Sequence, residues 1–184
     1  MTYFNVSHLD SPLGALLLVT DDRTALRALD FAGHEIHLHR VLSDQYGPHE
    51  LVETPAPRET AQALARYFDG DLQALDHLVV VTRGTEFQER VWRALRCIKG
   101  GTTTSYGKLA KSLGLNDPRA AIDVGAANAA NPVAIVVPCH RVVARDGHLK
   151  GYAWGLERKR WLLEHEKVIP AQQLAQQTMT LEGF

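Results

Sequence analysis

Three strand-like runs open the chain, at residues 3–6, 14–20 and 25–31, separated by the turn signals Ser11-Pro12 and Asp21-Asp22. Apolar runs bounded in this way predict an antiparallel meander. Residues 32–56 are polar and rich in histidine and proline, with a short helix expected around residues 34–43. Beyond Pro57, Ala61, Leu64, Ala65 and Phe68 recur at helical spacing and Gly70 supplies the stop. Residues 77–81 read as one more strand. At Gly84 the pattern changes. Thr85 and Gln88 have the spacing of a capping box, and behind them Phe87, Val91, Trp92 and Leu95 make an apolar helical face. Gly100-Gly101 ends that helix, and a short one over residues 105–113 is closed by Gly114. Asp117 as N-cap, with Pro118 at the first helical position, opens another helix to about residue 130. This is a helix-turn-helix outline. A buried strand over residues 133–137, the turn Pro138-Cys139-His140-Arg141, a hairpin-like stretch over 142–151 and a last helix from 156 to about 167 complete the pattern. The tail after Ile169 is polar, with four glutamines.

At 184 residues, 45% hydrophobic and 22% charged, the chain can bury a core in one domain or two small ones, which excludes disordered and collagen-like classes. Its longest apolar runs, 15–19 and 133–137, fall far short of the roughly 20 residues that span a bilayer. Residues 1–11 lack a basic segment followed by an apolar stretch, so no secretory signal is expected. Two cysteines cannot form a disulfide framework and suit a reducing, intracellular compartment. The net charge of −1 hides an asymmetry. Residues 1–83 hold 6 basic and 12 acidic side chains, and the remainder 14 and 9. A basic second half suits a polyanionic partner, or simply a solvated face.

Candidate chemistry lies in that second half. The helix after Pro118 is almost bare, carrying Ala120, Ala121, Gly125, Ala126, Ala127, Ala129 and Ala130. Reading bases in the major groove requires long donors and acceptors along one face, of which this helix has only Asn128 and Arg119. A bare helix can instead lie close against a sugar-phosphate surface, or pack tightly in a core. Cys139 follows an apolar run and Pro138 and is followed by His140 and Arg141. An imidazole and a cation beside a thiol lower its pKa and favour the reactive thiolate; the alternative is a buried cysteine acting as a small hydrophobe. On a regular strand Cys139 and His140 would face opposite ways, so a dyad needs a water relay or a reorienting turn. Cys97, without such neighbours, reads as structural. His34, His37, His39 and His49 are loosely spaced with no cysteine nearby, so no metal site is expected.

Asn131-Pro132, the apolar run, Pro138-Cys139-His140-Arg141-Val142-Val143, Gly147-x-Leu149-x-Gly151-Tyr152, Gly155, Lys159, Leu162-Leu163 and Glu166 together resemble the O6-alkylguanine-DNA alkyltransferases. Thr85-x-Phe87-Gln88, Val91-Trp92, Ser105-Tyr106-Gly107 and Leu109-Ala110 match the same family upstream. Ser11-Pro12-Leu13-Gly14 and Tyr67-Phe68-x-Gly70 extend the likeness weakly into the first half. The resemblance implies an α/β protein. A small sheet-plus-helix, RNase H-like domain would cover residues 1–83, a mainly helical, winged-helix-like domain residues 84–169, and a polar tail residues 170–184. It implies direct dealkylation of guanine O6, with thymine O4 as a further target, in duplex DNA. Cys139 would take the alkyl group irreversibly, one molecule per lesion. His140 would remove the thiol proton through a water, oriented by Glu166, and Tyr106 would protonate guanine N3. Asn131, Val142, Tyr152, Ala153 and Trp154 would line the pocket. Arg119, Ala121, Ile122, Gly125, Ala126 and Arg145 would meet DNA from the minor groove with little sequence preference. No cofactor or metal is implied, nor a membrane. The implied protein is cytoplasmic, or nuclear in a eukaryote, and a monomer in solution open to cooperative assembly on DNA.

Two departures stand out. Where relatives place an arginine two residues before a Val-Gly pair, this chain has Ile122, and the turn before the helix is about two residues longer. An apolar wedge unstacks bases but cannot hydrogen-bond the orphaned partner base. Several relatives also have glycine where Trp154 stands, so an indole there would narrow the pocket unless it packs outward. A binder of alkylated DNA without transfer, or a small-molecule cysteine hydrolase, are the rival classes; retention of Cys139, His140, Tyr106 and Glu166 speaks against the first, and single turnover would exclude the second.

Overall fold

The computed structural model describes residues 1–168, so the glutamine-bearing tail lies outside the described residues. The expected meander forms: β1 (Thr2–Leu9), β2 (Leu16–Thr20) and β3 (Leu26–Phe31) pair antiparallel, with His8 opposite Leu17 and Leu18 opposite Leu29. The polar stretch after it folds into α1 (Glu35–Tyr46) and a strand that the pattern did not reveal, β4 (His49–Glu53), parallel to β1 at the edge of a β3-β2-β1-β4 sheet. Mostly exposed, β4 has little apolar alternation, and backbone pairing alone makes it a strand. Leu38 and Leu42 of α1 bury against Phe4, Val6, Leu17, Val19 and Ala28 on one sheet face. The other face receives α2 (Arg58–Phe68), which buries Thr60, Ala63, Leu64 and Tyr67. Its inner face is thus turned one residue from the expected one, leaving Ala65 exposed.

The second half contains α3 (Glu86–Arg96), with both capping-box bonds of Thr85 and Gln88 in place, β5 (Thr104–Ser105), α4 (Tyr106–Ser112), α5 (Ala120–Ala129), β6 (Val142–Val143) and α6 (Leu156–His165). Helix α5 begins two residues later than expected. Asp117 caps a preceding turn instead, its Oδ1 accepting from the Arg119 amide at 2.7 Å. The short strands β5 and β6 pair in parallel, and the stretch after β6 turns back through Ala144 N–H to His148 O.

Two expected strands do not form. Residues 77–81 and 133–137 each make a single bridge to the outer edge of β3, through Val80 to Leu26 and Val133 to Leu29. After that bridge the chain must curl away toward Cys139. Ile135 adopts φ 67° while Val136 N–H donates to Ala134 O, so a left-handed γ-turn replaces the strand. The segment is nevertheless fully buried, and one apolar core runs from Leu16, Leu18 and Leu29 of the sheet through Trp92 and Leu95 to Val133, Val137 and Leu162.

Candidate active site

Cys139, His140 and Arg141 form one 3-10 turn, not the regular strand that would send Cys139 and His140 to opposite faces. Asn131, just past the end of α5, holds the approach to it. Its Oδ1 accepts from Val133 N–H at 2.9 Å, and its Nδ2 donates to Val137 O at 2.8 Å and to Cys139 Sγ at 3.2 Å. One amide therefore ties the helix end, the γ-turn and the thiol together.

Cys139 is 2% exposed. Burial pushes its thiol up to about 11, against the Asn131 hydrogen bond and the distant charge of Lys159. The expected lowering by flanking cation and imidazole is not found, because both neighbours are committed elsewhere. Arg141 donates through Nε and Nη2 to the Glu166 carboxylate at 3.0 and 2.9 Å and through Nη1 to Ile98 O at 2.6 Å. His140 Nε2–H donates to Glu166 Oε1 at 2.9 Å. This fixes the tautomer, leaving Nδ1 as the basic nitrogen, and Nδ1 has no partner among the described residues. Burial lowers the imidazole pKa and outweighs the pull of Glu166, so the ring is neutral and able to take a proton. Although burial opposes it, Glu166 is held well below the usual carboxylate range by His140 and Arg141. The thiol thus has no standing charge and needs a base, and a neutral, oriented base is its sequence neighbour.

Tyr106, at the start of α4, donates a long bond to Lys150 O at 3.3 Å; burial and then the nearby Cys139 raise its pKa, keeping the phenol protonated. Buried Lys159 donates to Val142 O, Lys150 O and Gly151 O at 2.7, 3.0 and 3.2 Å, clamping the loop after β6 onto α6, and burial lowers its pKa to about 8. Tyr152 packs edge-on against Trp154 at 5.1 Å, and Ala153 between them is exposed. Trp154 does not pack outward. It is 1% exposed, and its indole N–H donates to buried Asp30 of β3 at 2.6 Å.

Helix α5 turns Ala120, Val124, Ala127 and Asn128 inward, where Trp92 Nε1 donates to Ala127 O at 2.8 Å. Outward lie Ile122, 71% exposed, with Ala126 and Ala129, while Ala121 and Gly125 are half-buried. Arg119, just before α5, and Arg145, on the turn after β6, are exposed. All four histidines weighed for a metal are taken up otherwise: His34 accepts from Arg158 Nη1 at 3.3 Å, His37 is held by Asp30 at 2.6 Å, and His39 and His49 by each other at 3.0 Å. Among the described residues no three metal-ligating side chains are grouped. Cys97 ends α3 exposed rather than filling a structural niche.

Sequence reasoning missed the roles of Arg141, Lys159 and Tyr67. Arg141, followed by Val142 and Val143, is a charge beside an apolar run, a signal of buried pairing; Lys159, set among Glu157, Arg158 and Arg160, gives no such signal, and Tyr67 donates to Glu166 from the other half of the chain.

Comparison with known proteins agrees with this geometry. The 6-O-methylguanine DNA methyltransferase DNA-binding domain matches residues 86–168, and the ribonuclease-like domain of the same methyltransferases matches residues 4–80. A methylated-DNA–protein-cysteine methyltransferase of Salmonella typhimurium is 46% identical over 158 residues, 85% of this chain and 91% of the relative. One of Mycobacterium bovis is 44% identical over 164 residues, 86% and 90% of the two chains. The crystal structure of a Mycobacterium tuberculosis OGT in complex with DNA superposes with a TM-score of 0.73 at 37% identity, covering 91% of this chain and 96% of that one. A cysteine in a turn fixed by an asparagine, with a base oriented by a carboxylate and a bare helix close by, is thus found in a chain that belongs to the 6-O-methylguanine DNA methyltransferase family.

Proposed function

We propose that the chain repairs DNA by direct reversal, moving the O6-alkyl group of guanine in duplex DNA onto Cys139. The observation that carries this reading is the buried thiol at 3.2 Å from Asn131 Nδ2, one residue from a base whose other nitrogen is fixed by Glu166. The thiol proton passes through a water to His140 Nδ1. The sulfur lone pair forms the S–C bond in line with the breaking C–O6 bond, and the electrons left on the purine are neutralised as Tyr106 protonates N3. A thioether has no leaving group that water could displace here, so each molecule reacts once.

The lesion must leave the base stack to reach a sulfur that is 2% exposed. The outward face of α5, small apart from the exposed Ile122 and Asp123, suits the minor groove: small side chains let the backbone approach, and Ile122 is an apolar wedge for the stack. Exposed Arg119, just before α5, and Arg145, on the turn after β6, supply phosphate contacts that carry no sequence information. One monomer holds a complete site. Incubation with a duplex carrying one O6-methylguanine should add one methyl-for-hydrogen increment of mass, located on the peptide containing Cys139, with at most one equivalent transferred. An unchanged mass with intact DNA binding would overturn the reading, as would transfer by the Cys139→Ser variant.

A further inference from the structure

Glu166 caps the C-terminal end of α6 with its carboxylate buried among five donors. His140, Arg141 twice and the Gly101 amide come from the same half of the chain. The fifth is the phenol of Tyr67 on α2, 99 residues away, donating to Glu166 Oε1 at 2.8 Å. Tyr67 is fully buried and held at both ends: His165 Nε2–H donates to its carbonyl at 2.7 Å, and the His165 ring lies edge-on at 5.2 Å. Packing alone would be served equally by phenylalanine. What the hydroxyl adds is a hydrogen bond to the same carboxylate oxygen that holds His140.

We propose that Tyr67 is a positioning residue of the proton relay: by donating to Glu166 Oε1 it sets how strongly that oxygen draws on the His140 N–H, so that the N-terminal half tunes the base that serves Cys139. A donor on Oε1 takes up part of its charge. Without it, the oxygen is a stronger acceptor and the imidazole binds a second proton more readily. The other groups facing His140 remain as they are: Arg141 and Cys139 on its own turn, and Glu166 and Lys159 on α6. Only part of the strength of a hydrogen bond to a charged group passes through the shared oxygen to the imidazole, so the expected increase in proton affinity is about threefold to tenfold, or about half to one pH unit.

The inference uses the alkyltransfer reading for its meaning, but its test does not depend on it. In DNA-free full-length protein, the His140 ring nitrogens titrated by NMR should show a midpoint raised by that amount in Tyr67→Phe. Site-specific 3-fluorotyrosine at position 67, a stronger donor, should shift the midpoint the opposite way, and it decides the matter if the phenylalanine variant does not fold. In single-turnover alkyl transfer to an O6-methylguanine duplex, the acidic limb of the rate profile should move with the NMR midpoint. Unmoved midpoints in the folded variants, or a rate lowered by one factor at every pH, would make Tyr67 structural only and overturn the proposal. Absence of transfer by the unaltered protein would instead strike the alkyltransfer reading, with the His140 titration still deciding this one.

Discussion

At Cys139 two opposing influences meet, and burial wins. A thiol raised from 9.0 to about 11 is protonated in the resting protein, so reactivity must come from proton removal inside the complex with DNA. Iodoacetamide at neutral pH should therefore label the exposed Cys97 first, with Cys139 labelling rising toward a midpoint near pH 11, as peptide mapping would show. The same shift affects stability. The folded protein holds this proton more tightly than the unfolded chain, so the contribution is complete below pH 9 and is lost as pH rises from 9 to 11. It amounts to roughly 2–3 kcal/mol. Thermal melts should show that Cys139→Ala removes this fall. A parallel fall in the variant would mean that another group is responsible.

Among the elements, α5 is the one with the least side chain on its outward face. Gly125 is half-buried in its middle, and a Cβ there would come only to 3.8 Å from the Tyr106 ring, an ordinary contact. Gly125→Ala should therefore raise stability by about 1 kcal/mol through helix propensity. If the helix backbone lies against the sugar-phosphate surface, the same methyl should weaken DNA binding in a fluorescence titration; equal affinity would place DNA elsewhere. Ile122 projects from the same face and offers no hydrogen bond to an unpaired base. At saturating DNA, repair of a methylated duplex should be faster in Ile122→Arg and unaffected in Arg119→Ala, since Arg119 precedes the helix and its amide is engaged by Asp117. A slower Arg119→Ala variant would make Arg119 the substitute.

Across the whole molecule, the two halves are joined by polar contacts as well as by a shared core. Asp30 of β3 accepts from Trp154 Nε1, the Phe31 amide and His37, and Arg158 lies 4.4 Å over the Phe31 ring while donating to Trp154 O at 3.0 Å. Asp30→Ala would orphan two buried donors, the Trp154 indole and the Phe31 amide, and release the half-buried His37, and should cost about 3 kcal/mol in denaturant unfolding. Held in this way, the indole should limit the pocket: Trp154→Gly should speed reaction with free O6-benzylguanine more than with the methylated duplex, and equal gains would show that the indole does not narrow it. Much of this arrangement was legible in the chain. The meander, the capping box at Thr85, the helix-turn-helix outline and the Pro-Cys-His-Arg turn are local, set by periodicity, caps and breakers that act over a few residues. Residues 133–137 were legible as buried but not as turns, because the apolar run records only burial, whereas the path is set by the edge of β3 and by Asn131. Strand β4 escaped notice because its partner β1 lies over 40 residues earlier. The chemistry divides in the same way. Sequence, through its resemblance to the alkyltransferases, singled out which residues would carry it: a thiol, an imidazole and a carboxylate at the motif's positions. Tertiary structure decided their state: burial protonates the thiol, Glu166 selects the imidazole nitrogen, and Tyr67 and Asp30 reach the site from the other half of the chain, because desolvation and hydrogen bonding depend on neighbours in space.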